Sequence, residues 1–197
     1  MAIWLITTGL IFLFLFSSGY SIDGERTARK TKFIGEEAIL LEEFEFDGGK
    51  IYCFNTDEGP RTAFVNKRLF LWRCPYVTRF RNNTQDAIKT IAWLSYNDNE
   101  AITVIGFETD IKNVKYIEAG RGIERIKKEI NPKEPIFFCW DEVVRIKEIN
   151  ALALSENGEL LYRYGYPENG IYFDMAEELK WYDIQNSSHA RSVLSNH

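Results

Sequence analysis

Three features of the sequence predict a β-rich α+β fold, an antiparallel hairpin and meander sheet with one or two short helices, preceded by an N-terminal transmembrane or signal segment. Short apolar runs rich in β-branched and aromatic residues recur along a chain that is 15% aromatic. Clusters of Gly, Asn and Asp separate those runs at turn spacing. Residues 2–22 contain no Asp, Glu, Lys, Arg or His.

The uncharged N-terminal stretch bears most on where the protein works. As a helix rising 1.5 Å per residue it would reach about 31 Å, against roughly 30 Å of bilayer hydrocarbon. Its core, Leu10-Ile11-Phe12-Leu13-Phe14-Leu15-Phe16, has no polar face, so a membrane fits it better than a protein core. Gly19-Tyr20-Ser21 places small residues at the spacing a signal peptidase reads, so both a retained anchor and a cleaved leader are consistent with it. Orientation carries a conflict. Arg26, Arg29, Lys30 and Lys32 follow the stretch and no basic residue precedes it, which by the positive-inside rule keeps the body cytosolic. A very short N-terminus before an apolar run is instead the layout of export, and the expected location is a membrane-anchored extracytoplasmic domain or a secreted one.

Residues 23–32 are polar and net basic and read as a linker, so the single β-rich domain is expected over residues 33–184, ahead of a polar tail over 185–197. Residues 38–46 and 51–55 form a hairpin around Asp47-Gly48-Gly49-Lys50. Asp57-Glu58-Gly59-Pro60 turns the chain into residues 61–65, and Asn66-Lys67 separates these from residues 69–73, where Pro75 is expected to break the ladder. Residues 88–96 and 101–107 flank Asn97-Asp98-Asn99-Glu100 as a further hairpin, with 114–118 as another strand. Ile123, Ile126 and Ile130 fall at helical spacing before Asn131-Pro132 and predict a short helix. Residues 136–140 form a short apolar run, and residues 151–155 pair with 159–164 through Glu156-Asn157-Gly158. Asp174, with Glu177 three residues on, predicts a capped C-terminal helix that buries Leu179 and Trp181.

Chemistry is sparse. The two histidines, His189 and His197, both lie in the tail, which disfavours Ser-His, Cys-His and multi-His metal sites. Cys53, Cys74 and Cys139 each sit beside aromatics and match no C-x-x-C spacing, so they read as core thiols, with one disulfide as the alternative in an oxidising compartment. No phosphate loop, nucleophile elbow or dinucleotide fingerprint occurs, and no cofactor or metal is implied. Asp57, Glu58, Asp141, Glu142 and Asp174 supply carboxylates for a glycosidase-type pair, yet each also fits a turn or cap.

A net charge of −5 disfavours nucleic acid as a partner. The basic stretch over residues 60–85 reads as a solvated strand face. The binding candidates are aromatic: Tyr162, Tyr164 and Tyr166 alternate along one predicted strand as a row able to stack on a sugar or peptide, and Trp140 is a further groove candidate, with packing on the core as the alternative for all four.

An apolar leader, a charged linker and a hairpin-rich body carrying Ala151-Leu152-Ala153-Leu154-Ser155-Glu156-Asn157-Gly158-Glu159-Leu160-Leu161-Tyr162-Arg163-Tyr164-Gly165-Tyr166-Pro167 resemble small membrane-anchored or secreted proteins of the bacterial envelope. The resemblance implies an extracytoplasmic body and no catalytic residue; the missing basic residues ahead of the leader depart from it. The expected function is a non-catalytic, membrane-tethered or secreted interaction module, with residues 2–22 in the membrane and a protein or glycan as ligand. The alternatives are a carboxylate-dependent hydrolase of envelope polysaccharide and a cytosol-facing membrane adaptor.

Overall fold

Thirteen antiparallel strands in three sheets, stacked so that the middle sheet is apolar on both faces, make up the computed structural model, which describes Trp4, Ser17 and residues 19–80, 86–98, 100–122, 124–166 and 179–184. The uncharged stretch lies almost wholly outside the described residues, as do the tail from residue 185 and Asp174 with its expected helix. Among the described residues no helix is long and apolar enough to cross a membrane.

Sheet I is a meander of β2 (Ile39–Phe46), β3 (Gly49–Thr56), β4 (Gly59–Arg68) and β5 (Leu71–Arg79), with the two-residue β1 (Tyr20–Ser21) added on the β5 edge. Strand β5 runs through Pro75 instead of ending there. Phe64 pairs with Tyr76 and Asn66 with Arg73, so two residues, Cys74 and Pro75, face Val65 in a bulge. A bulge leaves one position outside the ladder, which is where a residue without an N–H fits.

Residues 23–32 are a structural part of the domain. Helix α1 (Gly24–Arg29) starts at Asp23, whose Oδ1 accepts from the Arg26 N–H at 2.7 Å, and buries Thr27 and Ala28. Arg29 Nη1 donates to the carbonyls of Glu36 and Ala38 at 2.9 and 2.6 Å, and its guanidinium lies 5.1 Å from the centre of the Phe54 ring. Helix α1 thus closes one face of sheet I over Tyr52, Phe54, Ala63 and Val65.

Sheet II holds β6 (Ile88–Asn97), β7 (Ala101–Thr109) and β10 (Ile136–Trp140), with β7 central. Leu94, Ile102, Val104 and Phe137 face sheet I, and Ile88, Ile105, Phe107 and Phe138 face sheet III. Burial on both sides explains why β7 reads as a nearly unbroken apolar run while strands of the outer sheets alternate. Both edges of sheet II are covered by side chains of its neighbours. On β6, Trp93 N–H donates to Thr62 Oγ1 at 3.3 Å and Trp93 O accepts from Thr78 Oγ1 at 2.6 Å. On β10, Lys128 Nζ donates to Phe137 O at 2.6 Å. Such contacts satisfy the polar groups that an edge strand otherwise leaves open for pairing. Thr103, wholly buried, links β7 to the chain after β10: its Oγ1 donates to Glu142 O at 2.7 Å and accepts from Val144 N–H at 2.9 Å.

Sheet III comprises β8 (Tyr116–Arg121), β9 (Glu124–Glu129), β11 (Leu152–Leu154), β12 (Leu160–Gly165) and β13 (Lys180–Asp183), in the order β13-β12-β11-β8-β9. Where a helix is expected around Ile123, Ile126 and Ile130, Glu124–Glu129 form strand β9, with Ile123 outside the described residues. Glu118 pairs with Lys127 and Ala119 with Ile126, and the Glu118 carboxylate receives the Arg125 guanidinium. Gly120 sits at φ +147, where a Cβ would lie 2.3 Å from Glu124 O, so the close return of the chain depends on a residue with none. Isoleucine spacing alone suggested a helix; the glycine turn and the cross-strand charge pairs outweigh it. Residues 180–183 likewise form β13, with Trp181 buried against Phe107. The short 3-10 turn Ile146–Glu148 precedes β11.

Candidate functional site

The aromatic row of β12 is divided by burial. Tyr164 is 2% exposed, its ring edge-on to Phe107 at 5.6 Å and close to Trp181 at 5.3 Å, so it has no face open to a ligand. Desolvation pushes its hydroxyl far above the usual tyrosine range. Tyr162 is half-buried against the same core, and Tyr166 stands exposed at the strand end. Trp140 lies stacked on Phe138, the rings 5.9 Å apart and 10° from parallel, and is half-buried on β10. The structure therefore places Tyr162, Tyr164 and Trp140 on the core between sheets II and III, with Tyr166 alone at the rim.

The acids singled out from the sequence sit in separate places. Asp57 and Glu58 form the β3–β4 turn, where Glu58 Oε2 accepts from Arg61 Nη2 at 2.9 Å, while Asp141 and Glu142 follow β10 on sheet II. Among the described residues no group of three or more His, Cys, Asp or Glu side chains is placed to hold a metal ion. The three cysteines are free thiols. Burial raises all of them, Cys53 to about 12 and Cys74 and Cys139 to about 11, which leaves them protonated and poorly nucleophilic at neutral pH.

Those shifts set a pH dependence. A thiol or phenol whose folded value exceeds its unfolded one stabilises the fold fully below the unfolded value, and that contribution is lost as pH rises through the folded value. With Cys53 raised from 9.0 to about 12 and Tyr52 and Tyr76 from 10.0 to about 12, the expected result is a melting temperature that is flat to about pH 9 and falls steadily towards pH 12. Thermal melts across that range check it; a melting temperature that rose with pH there would contradict it.

The surface with the most distinctive chemistry is the edge of sheet I where the uncharged stretch ends. Tyr20 and Ser21, the last residues but one of that stretch, pair in β1 with Arg73 and Trp72 of β5. The Arg73 guanidinium lies 5.7 Å from the centre of the Tyr20 ring, and Trp72 is flanked by Lys67 at 5.4 Å and Lys50 at 5.9 Å. Helix α1 packs beside them, where a Cβ on Gly24 would lie 2.8 Å from the Tyr52 hydroxyl and 3.4 Å from Trp72. The β4–β5 turn lies at the start of the strand that β1 joins, and Leu69 and Phe70 in it are exposed, as is Ile22 directly after β1. Aromatic rings, cationic heads and open apolar side chains share this zone. In the sequence this zone is scattered over residues 20–73, and the one signal that could have found it is the Leu-Phe pair directly after Lys-Arg, which opens the strand expected over residues 69–73 and lies instead in the turn between β4 and β5.

Fold and surface together define a three-sheet antiparallel β protein whose N-terminal strand is built into the edge of its first sheet. No family model, no curated protein and no solved structure matches this chain.

Proposed function

We propose that this protein is a non-catalytic interaction module tethered to a membrane by the uncharged residues ahead of β1, since Tyr20 and Ser21 of the expected 2–22 span belong to sheet I instead. The observation that carries this reading is the incorporation of Tyr20 and Ser21 into sheet I, followed at once by the packed helix α1, so that an uncharged, lipid-length stretch joins the folded body without a slack linker. A body held in that way presents fixed surfaces at a fixed height above the bilayer, which suits recognition of a protein or glycan ligand. Glu58 is held by Arg61 in a turn, Glu118 by Arg125 across β8 and β9, and Cys53 is buried in the core.

Cell fractionation tests the tether. The full chain is expected in the membrane fraction, resistant to alkaline carbonate extraction, and removal of residues 2–18 is expected to release it to the soluble fraction. An unchanged distribution after that deletion would overturn the reading.

A second reading, the cytosol-facing adaptor, is favoured by one observation: exposed Lys67, Arg68 and Arg73 lie on the same edge as the end of the uncharged stretch, adding to Arg26, Lys30 and Lys32. Protease added to intact cells and to spheroplasts separates the two, since an extracytoplasmic body is digested in spheroplasts while a cytosolic one survives until lysis.

A further inference from the structure

We infer that the β4–β5 turn is a second membrane contact, with Leu69 and Phe70 entering the headgroup region of an anionic bilayer and Lys67 and Arg68 lying on lipid phosphates. The inference deepens the tethered reading and rests on it for position. Leu69 is 91% exposed, the most exposed large apolar side chain among the described residues, and it is held at φ +59. That left-handed conformation strains a leucine, and glycine or asparagine would occupy it at little cost. An unburied leucine under strain contributes nothing to the fold itself. Phe70 beside it is 56% exposed, and Ile22, the residue directly after β1, is 68% exposed.

Position supplies the occupant. Tyr20 pairs with Arg73 and Ser21 with Trp72, which places Phe70 and Leu69, in the turn before β5, three to four residues from the Tyr20 pairing, roughly 10–13 Å from the point where the uncharged stretch joins the sheet at about 3.3 Å per residue. Gly19, at φ +84, allows the chain to turn just before β1, so the sheet edge can lie along the bilayer surface. A span anchored there leaves the tip within reach of the interface, where apolar groups of a surface-bound element penetrate about 5–10 Å. Lys67 and Arg68, both exposed at the tip, complement anionic headgroups.

The test uses the full chain reconstituted in vesicles of phosphatidylcholine alone or with phosphatidylserine. An environment-sensitive fluorophore is attached at Leu69→Cys in a Cys74→Ser, Cys139→Ser background, with a second label at Gly158→Cys in the distant β11–β12 turn as control. The expected result is blue-shifted emission at position 69, quenched by lipid-borne nitroxide, in serine-lipid vesicles, with no change at position 158. Each of Lys67→Gln and Arg68→Gln is expected to lower the docked-to-undocked ratio about fivefold. Amide exchange on the unaltered protein gives the same answer without labelling: the turn amides are expected to gain protection when serine lipid is added. A chain that floats with vesicles while position 69 stays solvent-exposed and its amides unprotected overturns this inference and leaves the tether standing. A chain that neither floats nor shifts overturns both. A shift that appears without lipid and grows with protein concentration assigns the tip to a second copy of the chain, and also overturns it.

Discussion

Phe107→Ala is expected to lower the unfolding free energy by about 3–5 kcal/mol, the range for emptying a fully buried aromatic site. Phe107 is wholly buried on the central strand of sheet II, and its ring meets those of Phe138, Tyr164 and Trp181 at 6.1, 5.6 and 5.1 Å, all edge-on. Phe138 belongs to sheet II and the other two to sheet III, so the one side chain joins the sheets. For a chain of this size the loss corresponds to a fall of about 6–20 °C in melting temperature. Leucine at the same position keeps much of the volume and loses the edge-on ring contacts, for an expected cost of about 1–2 kcal/mol. Denaturant titration checks both. A loss under about 1 kcal/mol for the alanine variant would show that the two sheets are not joined through this ring.

Gly49→Ala is expected to be comparably damaging, although it adds a single methyl group. Gly49 opens β3 at φ +151, and a Cβ there would lie 2.2 Å from Val65 O and 3.1 Å from the Asn66 Cα. The obstacle is main chain of β4, which cannot rotate away, so the strands must separate and lose ladder bonds. Conformational strain and forced overpacking together give about 2–6 kcal/mol. Gly158→Ala is the matched control. Gly158 is also left-handed, at φ +81, but nothing lies within 4 Å of the added carbon, so strain alone, about 1 kcal/mol, is expected. Equal effects of the two substitutions would mean that the approach of β3 to β4 is not what demands glycine.

The hairpins were legible because their signals are local. Asp47-Gly48 and Asn157-Gly158 mark chain reversals, and the β-branched and aromatic runs beside them mark strands. The failures came where a local signal was overruled by a partner distant in sequence. Pro75 reads as a terminator until β4 supplies a bulge to receive it, and the isoleucine spacing around Ile126 reads as a helix until β8 supplies the cross-strand charges. Residues 23–32 read as a linker because they are polar, yet Arg29 makes them structural by reaching the carbonyls of Glu36 and Ala38 and the ring of Phe54. The tyrosine row of β12 was visible as an alternation, but alternation does not say which side of a strand is covered, and sheet II covers Tyr164.

By itself the sequence determined a chain of antiparallel strands, the places where most of them turn, and an uncharged stretch long enough for a bilayer, because each of these follows from side-chain period, turn chemistry and length over a few neighbouring residues. Only the tertiary structure decided that the strands divide into three sheets, that threonines of sheet I and Lys128 of sheet III cover the edges of sheet II, and that Tyr20 and Ser21 at the end of that stretch pair with β5. Those are relations between residues tens of positions apart, set by how buried faces match one another, and no local pattern encodes them.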